Sequence, residues 1–211
     1  FHLNSNINSK FNSILFVHAD NNTNIHDTNN DGFLDHPTFK GFNFFNRYQY
    51  TDLEKGVVSF LGFKYMKNDK EAGEDVANLK LKRLAWVSEI NTERFDTNFK
   101  LGYVNPNIPY QSIGFQMAYS NHIQNSYFGL RNYDIKQNSF YSSFLYNSII
   151  SNTMNKFKAG LNFSFDDYHE MVDISKINYD RTDKSFGGFF EYSYDNLEKI
   201  SLVAGLRYDI H

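Results

Sequence analysis

Strict two-residue alternation of apolar and polar side chains runs along most of this chain, and it constrains the fold more than any other feature. Over 157–165, Phe157, Ala159, Leu161, Phe163 and Phe165 hold one parity. Lys156, Lys158, Gly160, Asn162, Ser164 and Asp166 hold the other. Phe95, Thr97, Phe99, Leu101 and Tyr103 oppose Arg94, Asp96, Asn98, Lys100 and Gly102 in the same way. Ile113, Phe115, Met117 and Tyr119 alternate with Gly114, Gln116 and Ala118, and Phe42, Phe44, Tyr48 and Tyr50 with Gly41, Asn43, Arg47 and Gln49. Phe45 and Asn46 fall off that last pattern. A helix has no face of period two, whereas a strand puts successive side chains on opposite faces. The pattern predicts nine strands, at about 11–19, 39–51, 56–67, 84–104, 111–121, 135–149, 156–168, 184–194 and 199–210. In the fourth, apolar parity switches between Leu84-Trp86-Ile90 and Phe95 onward, which predicts a bulge or a break near 91–94. In the sixth, Phe140, Phe144 and Tyr146 compete with Tyr141, Leu145 and Ile149 for the apolar face.

Composition removes the main alternatives. The 211 residues allow one domain. With 22 Phe and 15 Tyr the chain is too aromatic for intrinsic disorder. It is nonetheless polar on average, and no apolar run approaches the ~20 residues of a membrane-spanning helix. A net charge of -3 gives no support to a nucleic-acid partner. The absence of cysteine excludes disulfides, thiolate zinc sites and thiol nucleophiles together. The chain opens at Phe1 with neither a basic nor an apolar leader, and it ends inside a strand pattern, so a piece of a longer protein is expected.

The connections alternate in length. Short ones are expected at 52–55, 105–110, 150–155 and 195–198, and long polar ones at 20–38, 68–83, 122–134 and 169–183. Short turns on one rim and long loops on the other describe an antiparallel up-and-down transmembrane β-barrel. A soluble antiparallel barrel or sandwich would alternate too, with its apolar face inward. Three features favour the membrane. The polar parity repeatedly carries charge, as a wet lumen tolerates. Tyr48, Tyr50, Tyr103, Tyr192 and Tyr194 gather beside the short turns, as in an interfacial aromatic belt. The long loops exceed what a compact meander uses.

Motifs for chemistry are sparse. Asp27-Thr28-Asn29-Asn30-Asp31-Gly32-Phe33-Leu34-Asp35 resembles the front of a calcium loop. Its ligands would be Asp27, Asn29, Asp31, the Phe33 carbonyl and Asp35, but Thr38 stands where the bidentate Glu is needed. An Asx-rich solvated loop is the plainer reading. Asp166-Asp167-Tyr168-His169-Glu170, with Asp173 beyond, offers a rim metal or acid–base site, and equally a polar strand end. Segment 122–134 carries Tyr127, Phe128, Arg131 and Tyr133, a set suited to an aromatic or anionic ligand and equally to loop packing. There is no HExxH, no GxSxG elbow and no phosphate loop, so no catalytic residue is assigned and an enzyme is not expected.

Several strand phrases resemble a known family. These are Asn138-Ser139-Phe140-Tyr141, Phe157-Lys158-Ala159-Gly160-Leu161, Phe189-Phe190-Glu191-Tyr192 and the run from Leu197 to Asp209. With Asp31-Gly32-Phe33-Leu34-Asp35 and Phe44-Phe45-Asn46-Arg47 they resemble the barrel of a TonB-dependent outer-membrane receptor of the Bacteroidetes type. The resemblance covers most of the chain and rests on strand phrases, not on an invariant motif. It implies a 22-stranded barrel closed by a plug. A scarce chelate, siderophore–iron first and cobalamin or glycan next, would be captured outside and imported with energy relayed through the TonB complex. The lipid of the bacterial outer membrane and that chelate are the partners it implies. The chain departs from the family by showing no plug, no TonB box and no closing terminal strand, and nine strands is an odd number where bacterial barrels are even. An interior slice of the barrel is therefore expected. A passive porin, an outer-membrane hydrolase and a soluble β-sandwich binding module are the rivals.

Overall fold

A computed structural model describes residues 1–75, 85–173, 177–196 and 199–211. The chain is all-β, and its strands form one antiparallel sheet. They are β1 (His2–Asn6), β2 (Phe11–Asn22), β3 (Thr38–Asp52), β4 (Val57–Gly73), β5 (Val87–Val104) and β6 (Ser112–Phe128). After these come β7 (Arg131–Ile150), β8 (Asn152–Val172), β9 (Ile177–Asn178), β10 (Arg181–Asn196) and β11 (Ile200–Ile210). Each strand pairs with its sequence neighbour, in the order β1-β2-β3-β4-β5-β6-β7-β8-β10-β11, with the two-residue β9 set against β8. This is up-and-down topology of the kind a β-barrel segment has, although the sheet is not closed: β1 and β11 are its two edges.

All nine expected strands are present, and β1 and β9 join them. The path across the sheet therefore holds ten strands, an even number. The strands are longer than alternation indicated, and they consume the loops. Segment 122–134 is not a loop: β6 runs to Phe128, β7 starts at Arg131, and Gly129-Leu130 alone joins them. Gly129 has φ 62, and glycine first in a two-residue hairpin is the type II′ arrangement that matches strand twist. β4 and β8 likewise extend to Gly73 and Val172. Residues 76–84, including Leu84, the middle of the 169–183 connection at 174–176, and Leu197-Glu198 of the last short turn lie outside the described residues.

No bulge forms at 91–94. Asn91, Thr92, Glu93 and Arg94 pair without a break with Asp69, Asn68, Lys67 and Met66 on one side and with Asn125, Gln124, Ile123 and His122 on the other. Among the described pairings the register shifts only at Ile149/Ile150, beside Ser151 (φ 68), the single residue between β7 and β8. The parity switch in β5 has another cause, which the two faces of the sheet reveal.

Candidate functional site

Residues paired directly across an antiparallel ladder share a face, so the register assigns every strand residue to one side. One face holds Phe99, paired with Leu61 and Met117, and Phe144, paired with Phe115 and Leu161. In β7 it takes Phe140, Phe144 and Tyr146, leaving Tyr141, Leu145 and Ile149 on the other side. Asn46 stands among the apolar residues and donates Nδ2–H to the Ile14 carbonyl at 3.1 Å, whereas Phe45 belongs to the polar face.

The apolar residues form a band, not a whole face. From β3 to β10, counting away from the short-turn rim, the run ends on each strand at an aromatic ring: Phe42, Tyr65, Phe95, Tyr119, Phe140, Phe165 and Phe186. The next residue on the same face is polar every time: Lys40, Lys67, Glu93, Asn121, Asn138, Asp167 and Lys184. Within the band this face has no charged residue. The parity switch in β5 is this boundary. Beyond Phe95 the apolar face has become polar (Glu93, Asn91, Glu89), and Ile90 simply stands on the opposite side.

The band lies oblique to the hydrogen-bonded rows. Phe42 pairs with Lys67, so the boundary drops two residues to Tyr65 on β4. Tyr65 pairs with Phe95 with no drop. Phe95 pairs with Asn121, and the boundary drops to Tyr119. Tyr119, Phe140 and Phe165 share one row. Phe165 pairs with Lys184, and the boundary drops to Phe186. The opposite edge, through Tyr50, Val57, Tyr103, Ile113, Tyr146, Phe157 and Tyr194, drifts the same way at Val57, Phe157 and Tyr194. Each edge thus moves about one residue per strand. One residue of about 3.3 Å per inter-strand step of about 4.8 Å inclines the strands by about 35° to the band's normal. On β5 the band runs from Phe95 to Tyr103, about 26 Å along the strand and about 22 Å when corrected for that tilt.

No described residue covers the band. Among the described residues no hydrophobic side chain is buried, and Leu161 at its centre is 50% exposed. An apolar surface of this extent on a folded chain marks a contact with something else.

The other face is polar and crowded. A Cβ on Gly41, Gly62, Gly160 or Gly187 would collide with the side chains of Asp20, Asn98, Phe189 and Asp209, respectively. The same face holds four buried polar atoms without a hydrogen-bond partner among the described residues: Asp20 Oδ1, Arg47 Nε, His122 Nδ1 and Asn147 Oδ1. Side chains that converge mark the concave side of a curved sheet. Mixed charges line it, with Arg94 against Asp96 at 2.9 Å, Lys158 against Glu191 at 3.1 Å and Arg207 against Asp209 at 2.7 Å. Between them Arg94, Asp96, Asn98, Tyr141, Ser164 and Asp166 border a depression of about 430 Å³.

The residues singled out in sequence are distributed between the faces. Phe128, Arg131 and Tyr133 stand on the concave face at the top of the β6–β7 hairpin, while Tyr127 stands on the outer one. The Tyr133 hydroxyl donates to Glu170 Oε1, and this bond raises its pKa. Arg181 lies 3.3 Å from Glu170 and stacks 4.0 Å over the Tyr168 ring. Tyr168 and Glu170 therefore belong to this network. Asp167 and His169 alternate onto the outer face, where His169 lies 3.3 Å from both Asp167 and Asp180.

In the Asp27–Asp35 loop the side chains bind the loop's own backbone. Asp27 accepts from the N–H groups of Asp31 (3.1 Å) and Gly32 (2.8 Å), and Asp31 from Phe33 (2.8 Å). Asp35 accepts from both the N–H and the hydroxyl of Thr28, which hold its carboxyl below the usual carboxylate pKa. Asn29 Nδ2 donates to Asp31. Among the described residues no three His, Asp or Glu side chains gather around one point that could hold a metal.

No family model matches the chain, and no curated protein is detectably similar to it.

Proposed function

We propose that this chain is a wall segment of a β-barrel in a bacterial outer membrane, with its apolar band against lipid and its concave polar face toward a water-filled lumen. The oblique band carries the proposal. A flat bilayer cuts tilted strands along a line that crosses their hydrogen-bonded rows. A tilt of about 35° and a band of about 22 Å match the ~35–45° and ~25 Å of outer-membrane barrels, as do the aromatic rings along both edges. A sandwich core would need a second sheet over the band, and no described residue supplies one.

Within that architecture, active import is the favoured role, by a TonB-dependent receptor of the kind the strand phrases resemble. The ligand would be a scarce chelate, and the mechanism would be binding and gating without covalent chemistry. The mixed-charge concave face and the strands that extend as polar sheet past the band suit capture above the membrane.

The single tryptophan makes the membrane reading testable, because Trp86 lies outside the band. Trp86→Phe frees the emission window. Phe99→Trp in that background should then be quenched by lipids brominated on their acyl chains, and Asn98→Trp should not. Equal quenching at the two neighbours would overturn the membrane reading. Uptake of a ferric siderophore by cells carrying the full-length parent, abolished by an uncoupler, separates active import from passive diffusion.

A further inference from the structure

On the outer face, one step beyond the aromatic edge, lie Lys40, Lys67 and Lys184, and Lys136 lies one step further along β7. All four are exposed, and none forms an ion pair with a described residue. Lys40 and Lys67 come together. Phe42 pairs with Lys67, and Lys40 is the next residue along β3 on the same face, so the two ammonium groups flank one aromatic ring on adjacent strands. Both line a depression of about 470 Å³ whose outer-face wall also includes Thr38, Asp69, Glu71 and Glu89. Neither lysine forms an ion pair with these carboxylates, and Glu89 accepts instead from Asn91 Nδ2 at 2.6 Å.

We propose that this depression is a headgroup site for a phosphate-bearing lipid. The inference rests on the membrane reading above. With acyl chains lying along the band below Phe42 and Tyr65, the phosphate reaches the level of Lys40 and Lys67. There the two unpaired ammonium groups supply charge-assisted donors. Asp69, Glu71 and Glu89 then accept from headgroup hydroxyls, so the site selects a lipid that carries both phosphate and hydroxyl groups. Free phosphate offers the same charge without the anchoring chains.

Native mass spectrometry of the protein in dodecylmaltoside micelles, titrated with phosphatidylglycerol, tests this. The wild type should retain bound lipid. Lys40→Gln/Lys67→Gln should weaken retention roughly tenfold, since each basic group near a membrane surface contributes appreciably to anionic lipid binding. Lys64→Gln/Lys100→Gln, on the concave face, should match the wild type. Phosphatidylcholine, which lacks the hydroxyls, should bind more weakly, and inorganic phosphate should not compete. No retention by the wild type, equal retention by the Lys40/Lys67 variant, or displacement by inorganic phosphate would each overturn the headgroup site. If Phe99→Trp is quenched by brominated lipid while the variant still retains phosphatidylglycerol, only the headgroup inference fails. An unquenched Phe99→Trp removes the membrane reading itself.

Discussion

Lys10 Nζ donates to Asp52 Oδ2 at 2.9 Å, and the Asp52 side chain is 1% exposed. The pair joins two neighbouring turns on one rim: Lys10 closes the β1–β2 hairpin, and Asp52 ends β3 as it enters the turn to β4. Tyr50 Oη donates to the same carboxylate at 3.2 Å, the Lys55 N–H to its other oxygen at 3.2 Å, and the Thr51 N–H to the Lys10 carbonyl at 2.8 Å. The Lys10 bond holds the Asp52 carboxyl below its ordinary pKa, and the Asp52 bond holds the Lys10 ammonium above its own.

A pH profile follows from those two directions. Asp52, depressed in the fold, contributes stability that is present above the unfolded carboxylate value of about 3.9 and is lost as pH falls through its folded value. Lys10, raised in the fold, contributes stability that is present below about 10.4 and is lost as pH rises through its folded value. Chemical denaturation should show a plateau between these limits in the wild type. Asp52→Asn should lose stability on the plateau and flatten the acid limb. Glu54→Gln should leave the acid limb unchanged and move only the alkaline limb slightly, because the Glu54 charge helps to raise the Lys10 pKa without acting on Asp52.

The two faces differ by one position, so neighbouring substitutions should behave oppositely. Phe144 lies mid-band and Ser143 beside it on the concave face, between Gln116 and Asn162. In lipid, Phe144→Arg should cost ~2–4 kcal/mol, as an arginine on a barrel's lipid face near the midplane does. Ser143→Arg should cost well under half of that. Folding titrations into phosphatidylcholine vesicles measure both.

The β6–β7 hairpin offers a local test. Gly129 sits at φ 62 with the Trp86 ring 3.0 Å from where a Cβ would stand. Gly129→Val combines a backbone conformation that β-branched residues avoid with a steric clash. It should destabilise the hairpin by at least ~1 kcal/mol and shift Trp86 emission. Leu130→Val, at a 93% exposed neighbour, should do neither.

Period-two alternation made the strands legible in sequence, but not their ends. The run Asn121 to Phe128 mixes polar and apolar residues on both parities, so it reads as loop, yet it pairs residue by residue with Ser88–Phe95. Main-chain hydrogen bonding, which composition does not encode, holds it there. The aromatic edge through Phe42, Tyr65, Phe95, Tyr119, Phe140, Phe165 and Phe186 was equally hidden, because these positions align only once the register is known. Tyr133 was singled out with Phe128 and Arg131 through residue type alone. Its actual partner, Glu170, lies 37 residues away, a separation at which no local spacing signals contact.

The Asp27–Asp35 loop gives the last prediction. It joins β2 to β3 and contains two residues at positive φ, Asn30 (57) and Gly32 (85). Asp27 supports both, since its two oxygens accept the N–H groups of Asp31 and Gly32, the residues that follow Asn30. Backbone bonds tie the loop to the end of β4 and across itself, from the Asp75 N–H to the Gly32 carbonyl, the Leu34 N–H to Gly73 and the Asp35 N–H to His26, each at 2.8 Å, while Asp27 caps the positive-φ turn itself. Asp27→Ala leaves both donors to water and should release the turn. The amides of Asp31 and Gly32 should then lose hydrogen-exchange protection, while those of the paired strand segments at Phe16 and Phe45 keep theirs. Asn29→Ala removes only a 3.3 Å bond to the Asp31 N–H and a 2.9 Å bond to the Asp31 carboxylate, so its effect should be smaller. Equal protection in Asp27→Ala and the wild type would mean that the backbone bonds of the loop to the end of β4 and to His26 hold the turn without the carboxylate.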